Sequence, residues 1–336
     1  MKKGTIQNES RFSTNMRQLR ARFFFISPCS LFDMTICLYA MVIRILRSAF
    51  CARFGFASLY KYDSQLSAAF AEKQLLPYFD GEKYNFKDIY LPVPKVHGDK
   101  EELFCVVKDV LGVYLFNNDN YCWKYVDKLD KKLTEGVYLY RKPESGCEIL
   151  VNAGDTVLDI GAWLGDFSAY ACKKGATVYA FEPTPSTRNL LEKTVQYNAG
   201  SPGKIIIVPL AAGSETKACS LTEFLDFPAA SGLINNDLQK HLASKREIQV
   251  DYIKLDDWVL KFGIAKVDFI KADIEGFERD MLAGAVNILK EHKPKLSICT
   301  YHKPDDPEVL SKIILNANPD YRIIYRNMKL FAYVPG

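Results

Sequence analysis

The chain has 336 residues, 48% of them hydrophobic and 25% charged, with a formal net charge of +4. Those values are ordinary for a globular protein and allow one large domain or two modest ones. Nine cysteines, odd in number and scattered without a C-x-x-C pair, exclude a zinc-ribbon or thioredoxin-type motif and point to reduced thiols in the cytoplasm.

Residues 1–60 form a basic arm. Nine Lys or Arg stand there against Glu9 and Asp33, a balance of +7, whereas the remainder of the chain is slightly acidic. Such an arm suits an anionic surface. Met34–Ile43 is an uncharged run of ten, closed by Arg44 and Arg47. It is too short to span a bilayer and starts too late for a signal peptide. Residues 20–50 therefore either lie against the cytoplasmic face of a membrane as an amphipathic helix, pack on the body, or extend without order. No specific nucleic-acid binding is expected.

Residues 61–145 read as an α+β extension or lid. Helical signals at Gln65–Leu76 give way to Pro77, Pro92 and Pro94, and aromatic and β-branched clusters follow at Phe104–Val107, Gly112–Phe116 and Gly136–Tyr140. From 146 to 336 strand and helix alternate. Strands are predicted at 156–160, 176–181, 204–208, 267–272 and 295–300. A helix is predicted over Pro185–Tyr197 with Thr184 as its N-cap, and another after Gly276 carries Phe277, Met281, Ala285, Ile288 and Leu289 on one face. Leu210–Gly213 reads as a turn, Phe224–Ile248 as a loop, and Tyr321–Tyr325 with Lys329–Val334 as an antiparallel hairpin. The fold class is α/β: a Rossmann-like, mostly parallel sheet with a C-terminal antiparallel hairpin, preceded by the extension.

The first βα turn carries the strongest chemical signal. Thr156–Asp166 reads strand, glycine turn and helix start, and Glu182 follows Gly161 by twenty-one residues at the tip of the second strand. This arrangement holds an adenosine-containing cofactor, the acid accepting from two ribose hydroxyls. A dinucleotide site needs a second glycine where Trp163 stands, and an indole there crowds a pyrophosphate. Asp159 adds negative charge. Both features suit S-adenosylmethionine, a cation without phosphates.

The strand ending at Ala272 delivers Asp273, Ile274, Glu275 and Gly276 to the same edge. Extended backbone would turn the Asp273 and Glu275 carboxylates the same way, one to deprotonate an acceptor hydroxyl and the other to orient acceptor or cofactor. His302, after the next strand, is a natural general base at neutral pH. These three are the expected catalytic residues. They are also legal metal ligands, but no metal dependence is expected.

Asp159-Ile-Gly-Ala-x-x-Gly165-Asp, Phe181-Glu182-Pro183, Ile270-Lys271-x-Asp273-x-Glu275-Gly276-x-Glu278 and Tyr301-His302-Lys303-Pro304 together resemble the FkbM family of S-adenosylmethionine-dependent methyltransferases. The resemblance covers about residues 145–335. It implies methyl transfer to a hydroxyl on a sugar, glycan or other natural product. It also implies cofactor contacts at Asp159, Gly161, Ala162, Trp163, Gly165, Glu182, Pro183 and Ala212, with Asp159, Gly161, Ala162 and Gly165 at the methionine end. Trp163 departs from the family, which commonly has a small polar residue there. The alternatives are an NAD-dependent oxidoreductase on the same fold and a membrane-recruited binding protein without catalysis.

Overall fold

Seven strands form the central sheet of the computed structural model, which describes residues 72, 75–86, 88–96, 99–100, 102–103, 138–142, 147–225, 228–232, 244–326 and 328–335. Two short hairpins precede it: β1 (Lys83–Asn85) with β2 (Tyr90–Pro92), and β3 (Tyr140–Lys142) with β4 (Cys147–Ile149). The alternating region then runs β5 (Thr156–Ile160), α1 (Asp166–Lys173), β6 (Thr177–Phe181), α2 (Pro185–Tyr197) and β7 (Lys204–Val208). β8 (Ala211–Gly213), β9 (Lys217–Phe224), β10 (Lys245–Lys254) and α3 (Leu255–Lys261) follow. β11 (Phe269–Ala272), α4 (Glu278–Ala283), β12 (Lys295–Cys299), α5 (Asp306–Ala317), β13 (Arg322–Arg326) and β14 (Lys329–Tyr333) complete the chain.

The sheet order is β13-β14-β12-β11-β5-β6-β7, with β7, β6, β5, β11 and β12 parallel and β13–β14 the antiparallel closing hairpin. This is the predicted Rossmann-like sheet. The reversal of strand order beside β5 is where open α/β sheets bind ligands.

Strand alternation splits the core. Val157 and Phe269 face Phe167 of α1 and the first hairpins, while Leu158, Ile160, Ile270 and Ala272 face Trp258, Met281 and Leu310 on the other side. Both faces of the sheet are covered, as a parallel sheet requires. The register then fixes the site: Ile160 is level with Phe181 on one side and Ala272 on the other. The next residues, Gly161, Glu182 and Asp273, therefore emerge together at one edge.

Three local expectations are corrected. Leu210–Gly213 is not a plain turn: Ala211–Gly213 pairs in parallel with β10. The Tyr252 ring occupies the space a Cβ on Gly213 would need. Phe224–Ile248 is partly strand, β10 pairing antiparallel with β9 from Lys245 opposite Phe224. The helix after Gly276 breaks at Gly284, whose backbone lies against the Gly213 carbonyl, and resumes as a wide turn over Ile288–His292. The Asp256 carboxylate accepts from the N–H groups of Asn287 (3.1 Å) and Ile288 (3.0 Å), capping the second piece.

Residues 34–43, the strands predicted at 104–107 and 112–116, and most of the 65–76 helix lie outside the described residues. Within them, no helix is long and apolar enough to cross a membrane.

Candidate active site

The edge defined by Gly161, Glu182 and Asp273 opens into a cleft of about 640 Å³, counted with its mouth. Its walls are Ile160, Phe181, Leu210, Ala211, Ala212, Leu221, Ile274 and Phe277, with the Pro228–Gly232 turn on one rim. Among the described residues, the charged side chains lining it are Glu182, Asp273 and Glu275, with no Lys or Arg.

Glu182 ends β6 and is 7% exposed. Its two oxygens accept the N–H groups of Thr184 (2.8 Å) and Trp163 (3.0 Å). These bonds aim the carboxylate and leave each oxygen a further lone pair for ligand hydroxyls. Burial raises its pKa to about 7, partly offset by those donors. The N–H of Thr184 is thus spent on Glu182, and the Thr184 side chain makes no capping bond to α2. Trp163 has φ +50°, unusual for a residue with a side chain, and this turn is what points its N–H at Glu182. Its role in the turn is therefore partly backbone.

Gly161 is a packing requirement. A Cβ there would sit 2.1 Å from the Asp273 carbonyl oxygen and 2.8 Å from Ile274 Cγ2. Asp159 does not reach the cleft, contrary to its expected place at the methionine end. It is wholly buried, accepting from Ser168 Oγ (2.6 Å) and pairing with Lys271 Nζ at 3.0 Å. Asp159 and Lys271 are register partners on β5 and β11, so the pair follows from the ladder itself. Lys271 also donates to the Gly161 carbonyl at 2.7 Å, so Asp159 supports the glycine turn through the lysine. Burial would strip the Lys271 proton, but Asp159, Asp273 and Asp166 outweigh it and keep the ammonium charged. Ala162 and Gly165 also face away from the cleft: Ala162 packs with Ala180 and Leu191, and Gly165 lies against Leu191 and Thr194.

Asp273 is the hub of the acidic side. Its oxygens accept the hydroxyls of Tyr138 and Tyr301, each at 2.7 Å. Lys329 Nζ lies 4.4 Å from the Tyr138 ring centre and 5.3 Å from that of Tyr301. Burial alone would raise the Asp273 carboxyl; the charges of Lys329, His302 and Lys271 overcome that and hold it well below the usual carboxylate range. Glu275 is not extended, as its spacing from Asp273 suggested, but left-handed at φ +55° beside Gly276 at +100°. Both carboxylates still line the cleft. Burial raises the Glu275 carboxyl, against the counteracting His302.

His302 sits behind these acids rather than in the cleft. Its side chain is 4% exposed, with Nδ1 3.0 Å from Glu278 and Nε2 3.6 Å from Asp273 and 3.8 Å from Glu275. Burial would lower its pKa, but Glu275, Glu278 and Asp273 push it up to about 11. At neutral pH it is an imidazolium holding three carboxylates, a state that cannot accept a proton. Ligand atoms of Asp273, Glu278 and His302 lie within 4.8 Å of one another. Two tyrosine hydroxyls already occupy Asp273 and lysine charge surrounds it, so the cluster reads as a charge network. Sequence reasoning missed the roles of Tyr138, Lys271, Glu278 and Lys329; only Lys271 and Glu278 stood inside a recognised motif.

Sheet order, strand tips and acidic cleft define a Rossmann-like methyltransferase domain. Residues 159–323 match the methyltransferase FkbM domain, so this part of the chain is a methyltransferase domain of the FkbM type. It is 30% identical over 154 residues to the 31-O-demethyl-FK506 methyltransferase FkbM of Streptomyces tacrolimicus, covering 39% of this chain and 59% of that one. It is 27% identical over 163 residues to the hexuronic acid methyltransferase AglP of Haloferax volcanii, covering 48% and 62%. The chain thus spans about three fifths of the length of the curated relatives it matches. A crystal structure of methyltransferase FkbM from Methylobacillus flagellatus superposes with a TM-score of 0.44 at 20% identity, over 80% of this chain and 59% of that one.

Proposed function

We propose that the chain is an S-adenosylmethionine-dependent methyltransferase acting on a hydroxyl of a sugar, glycan or other natural product. The observation that carries this reading is the charge of the cleft: three carboxylates and no cationic side chain among the described residues that line it. Such a lining favours a cationic ligand and opposes a pyrophosphate, so it weighs against the oxidoreductase alternative. The residues fit the cofactor. Glu182 is aimed by two backbone N–H groups with lone pairs to spare for ribose hydroxyls, and Pro183, Leu210 and Ala212 offer an apolar wall for an adenine. When bound, the cofactor supplies an electrophilic methyl group on a sulfonium centre.

The protein's part is to align the acceptor, exclude water and take a proton. Of the two acids at the tip of β11, Glu275 is the better base, because burial raises its carboxyl whereas Asp273 is held strongly ionised. Glu275 accepts the acceptor's hydroxyl proton. Asp273, pinned by Tyr138 and Tyr301, orients the acceptor and supplies fixed negative charge. His302 positions both acids from behind. The names of the relatives, which include a hexuronic acid methyltransferase and a methyltransferase for 31-O-demethyl-FK506, support a hydroxylated acceptor.

Isothermal titration with S-adenosylmethionine, S-adenosylhomocysteine and NAD tests the reading. Binding of the first two without NAD is expected; NAD binding alone would sink it. Mass spectrometry of candidate glycans and hydroxylated lipids incubated with enzyme and cofactor then identifies the acceptor by the gain of one methyl group.

A further inference from the structure

The loop after β12 carries two of the groups that hold the acids of the cleft. The Tyr301 hydroxyl donates to Asp273, and the His302 imidazole stands among Asp273, Glu275 and Glu278. The two rings also lie against each other, their centres 4.2 Å apart. The side chains that fix this loop come from α4. Glu278, its first residue, faces His302 Nδ1 at 3.0 Å and accepts the Ile274 N–H at 2.9 Å. It thereby ties the histidine to the turn that bears both acids.

Arg279, the next residue, reaches the far end of the same loop. Its Nη2 donates to Asp305 Oδ1 at 2.6 Å and its Nε to Asp306 Oδ1 at 2.7 Å. The two carboxylates are not equivalent. The Asp305 side chain is 62% exposed, so water screens its pair with Arg279 and the pair contributes little. The Asp306 side chain is 1% exposed, and its Oδ2 accepts the Lys303 N–H at 2.8 Å. A carboxylate buried in this way is costly once a charged donor is taken from it. Without Arg279, Asp306 regains hydration by moving, and the loop joined to it through Lys303 moves with it.

We infer that Arg279 is a positioning residue: through Asp306 it clamps the 301–305 loop to α4 and so sets Tyr301 and His302 against Asp273 and Glu275. The chemistry assigned to those acids rests on the function proposed above, whereas the clamp rests on the hydrogen bonds. Arg279 touches no reacting atom. An arginine suits the place because its planar fork serves two carboxylates at once.

The proton on His302 reports the clamp. The groups facing it are Asp273 and Glu275 at the tip of β11, Glu278 on α4 and the Tyr301 ring, with Lys329 of β14 beyond that ring. Nitrogen-15 NMR of the histidine-labelled chain follows it, His302→Gln identifying its signals. Wild-type His302 is expected to stay an imidazolium through about pH 9. Arg279→Met is expected to lower its midpoint by about one pH unit or more, a tenfold weaker hold on the proton. The sign is diagnostic: removing a cation from an unmoved loop would raise the midpoint instead. Arg279→Gln keeps one donor for Asp306 and is expected to give a drop of about half a unit; it carries the test should Arg279→Met fail to fold. Arg279→Met/Asp306→Asn strands no charge and keeps an acceptor for the Lys303 N–H, so at least half of the shift should be recovered. By titration calorimetry, Arg279→Met should bind S-adenosylhomocysteine within about threefold of wild type, because the clamp lies behind the acids and away from Glu182. An unchanged or raised midpoint in Arg279→Met, or in Arg279→Gln where only that variant folds, would overturn the clamp. A double variant shifted as far as the single would overturn the route through Asp306. Wild-type protein that binds no S-adenosylhomocysteine would overturn the cofactor reading and leave the clamp to the His302 titration.

Discussion

Replacing Lys271 with Met isolates the buried pair beneath the glycine turn. The side chain keeps similar length and loses its ammonium, leaving Asp159 wholly buried with Ser168 as its remaining partner. Three contacts vanish: the 3.0 Å pair with Asp159, the 2.7 Å bond to the Gly161 carbonyl and the approach of the ammonium to the Tyr138 ring at 5.2 Å. At an effective dielectric near 20, unit charges about 3 Å apart attract by about 5 kcal/mol. Much of that attraction offsets desolvation in the intact protein, but removing one partner strands the other. The expected cost is therefore about 3–5 kcal/mol, a fall in Tm on the order of 10 °C. Denaturant unfolding followed by far-UV circular dichroism measures it. The double variant Asp159→Asn/Lys271→Met carries no stranded charge and is expected to regain at least half of the loss. A Lys271→Met cost below about 1 kcal/mol, or a double variant as weak as the sum of the singles, would refute the reasoning.

Gly161→Ala places a Cβ against the Asp273 carbonyl in a left-handed backbone (φ +76°), so we expect a loss of about 2–5 kcal/mol and abolished cofactor binding, read by thermal shift with and without ligand. Adenosine affinity should rise with pH through about 7, because ribose hydroxyls need the ionised Glu182 and burial delays its ionisation. Affinity about tenfold weaker at pH 6 than at pH 8 is expected, and Glu182→Gln should bind weakly with a flat profile; a flat wild-type profile would remove Glu182 from ligand binding. Glu275→Gln should retain cofactor affinity and lose about a hundredfold or more in turnover, whereas Asp273→Asn should chiefly raise the acceptor KM. The reverse pattern in steady-state kinetics would exchange their roles.

Period and punctuation in the chain were enough to locate the sheet. The predicted β5, β6, β7, β11 and β12, the helix Pro185–Tyr197 and the closing hairpin all stand where apolar runs and proline placed them, to within a residue or two. The strand ends set Gly161, Glu182, Asp273 and Glu275 on one cleft, because the ends of neighbouring parallel strands share an edge, and Trp163, Pro183 and Ala212, which the resemblance singled out, line it too. What the chain could not disclose was which polar side chains face the ligand and which face each other. Asp159 looks like a ligand contact until the register sets it level with Lys271. His302 looks like a base until three carboxylates from another segment close around it.

The break at Gly284 and the strand at Ala211–Gly213 have one cause, a close approach of two backbones far apart in sequence. Local propensity cannot report such an approach. Sequence by itself determined the fold class, the glycine turn and the acids at the strand tips, since these depend on local periodicity and on residues adjacent in the chain. Tertiary structure decided partnership: the carboxylates around His302, the tyrosine hydroxyls on Asp273 and the aim of Glu182. Each of these is an energy summed over neighbours that only folding brings within a few ångströms.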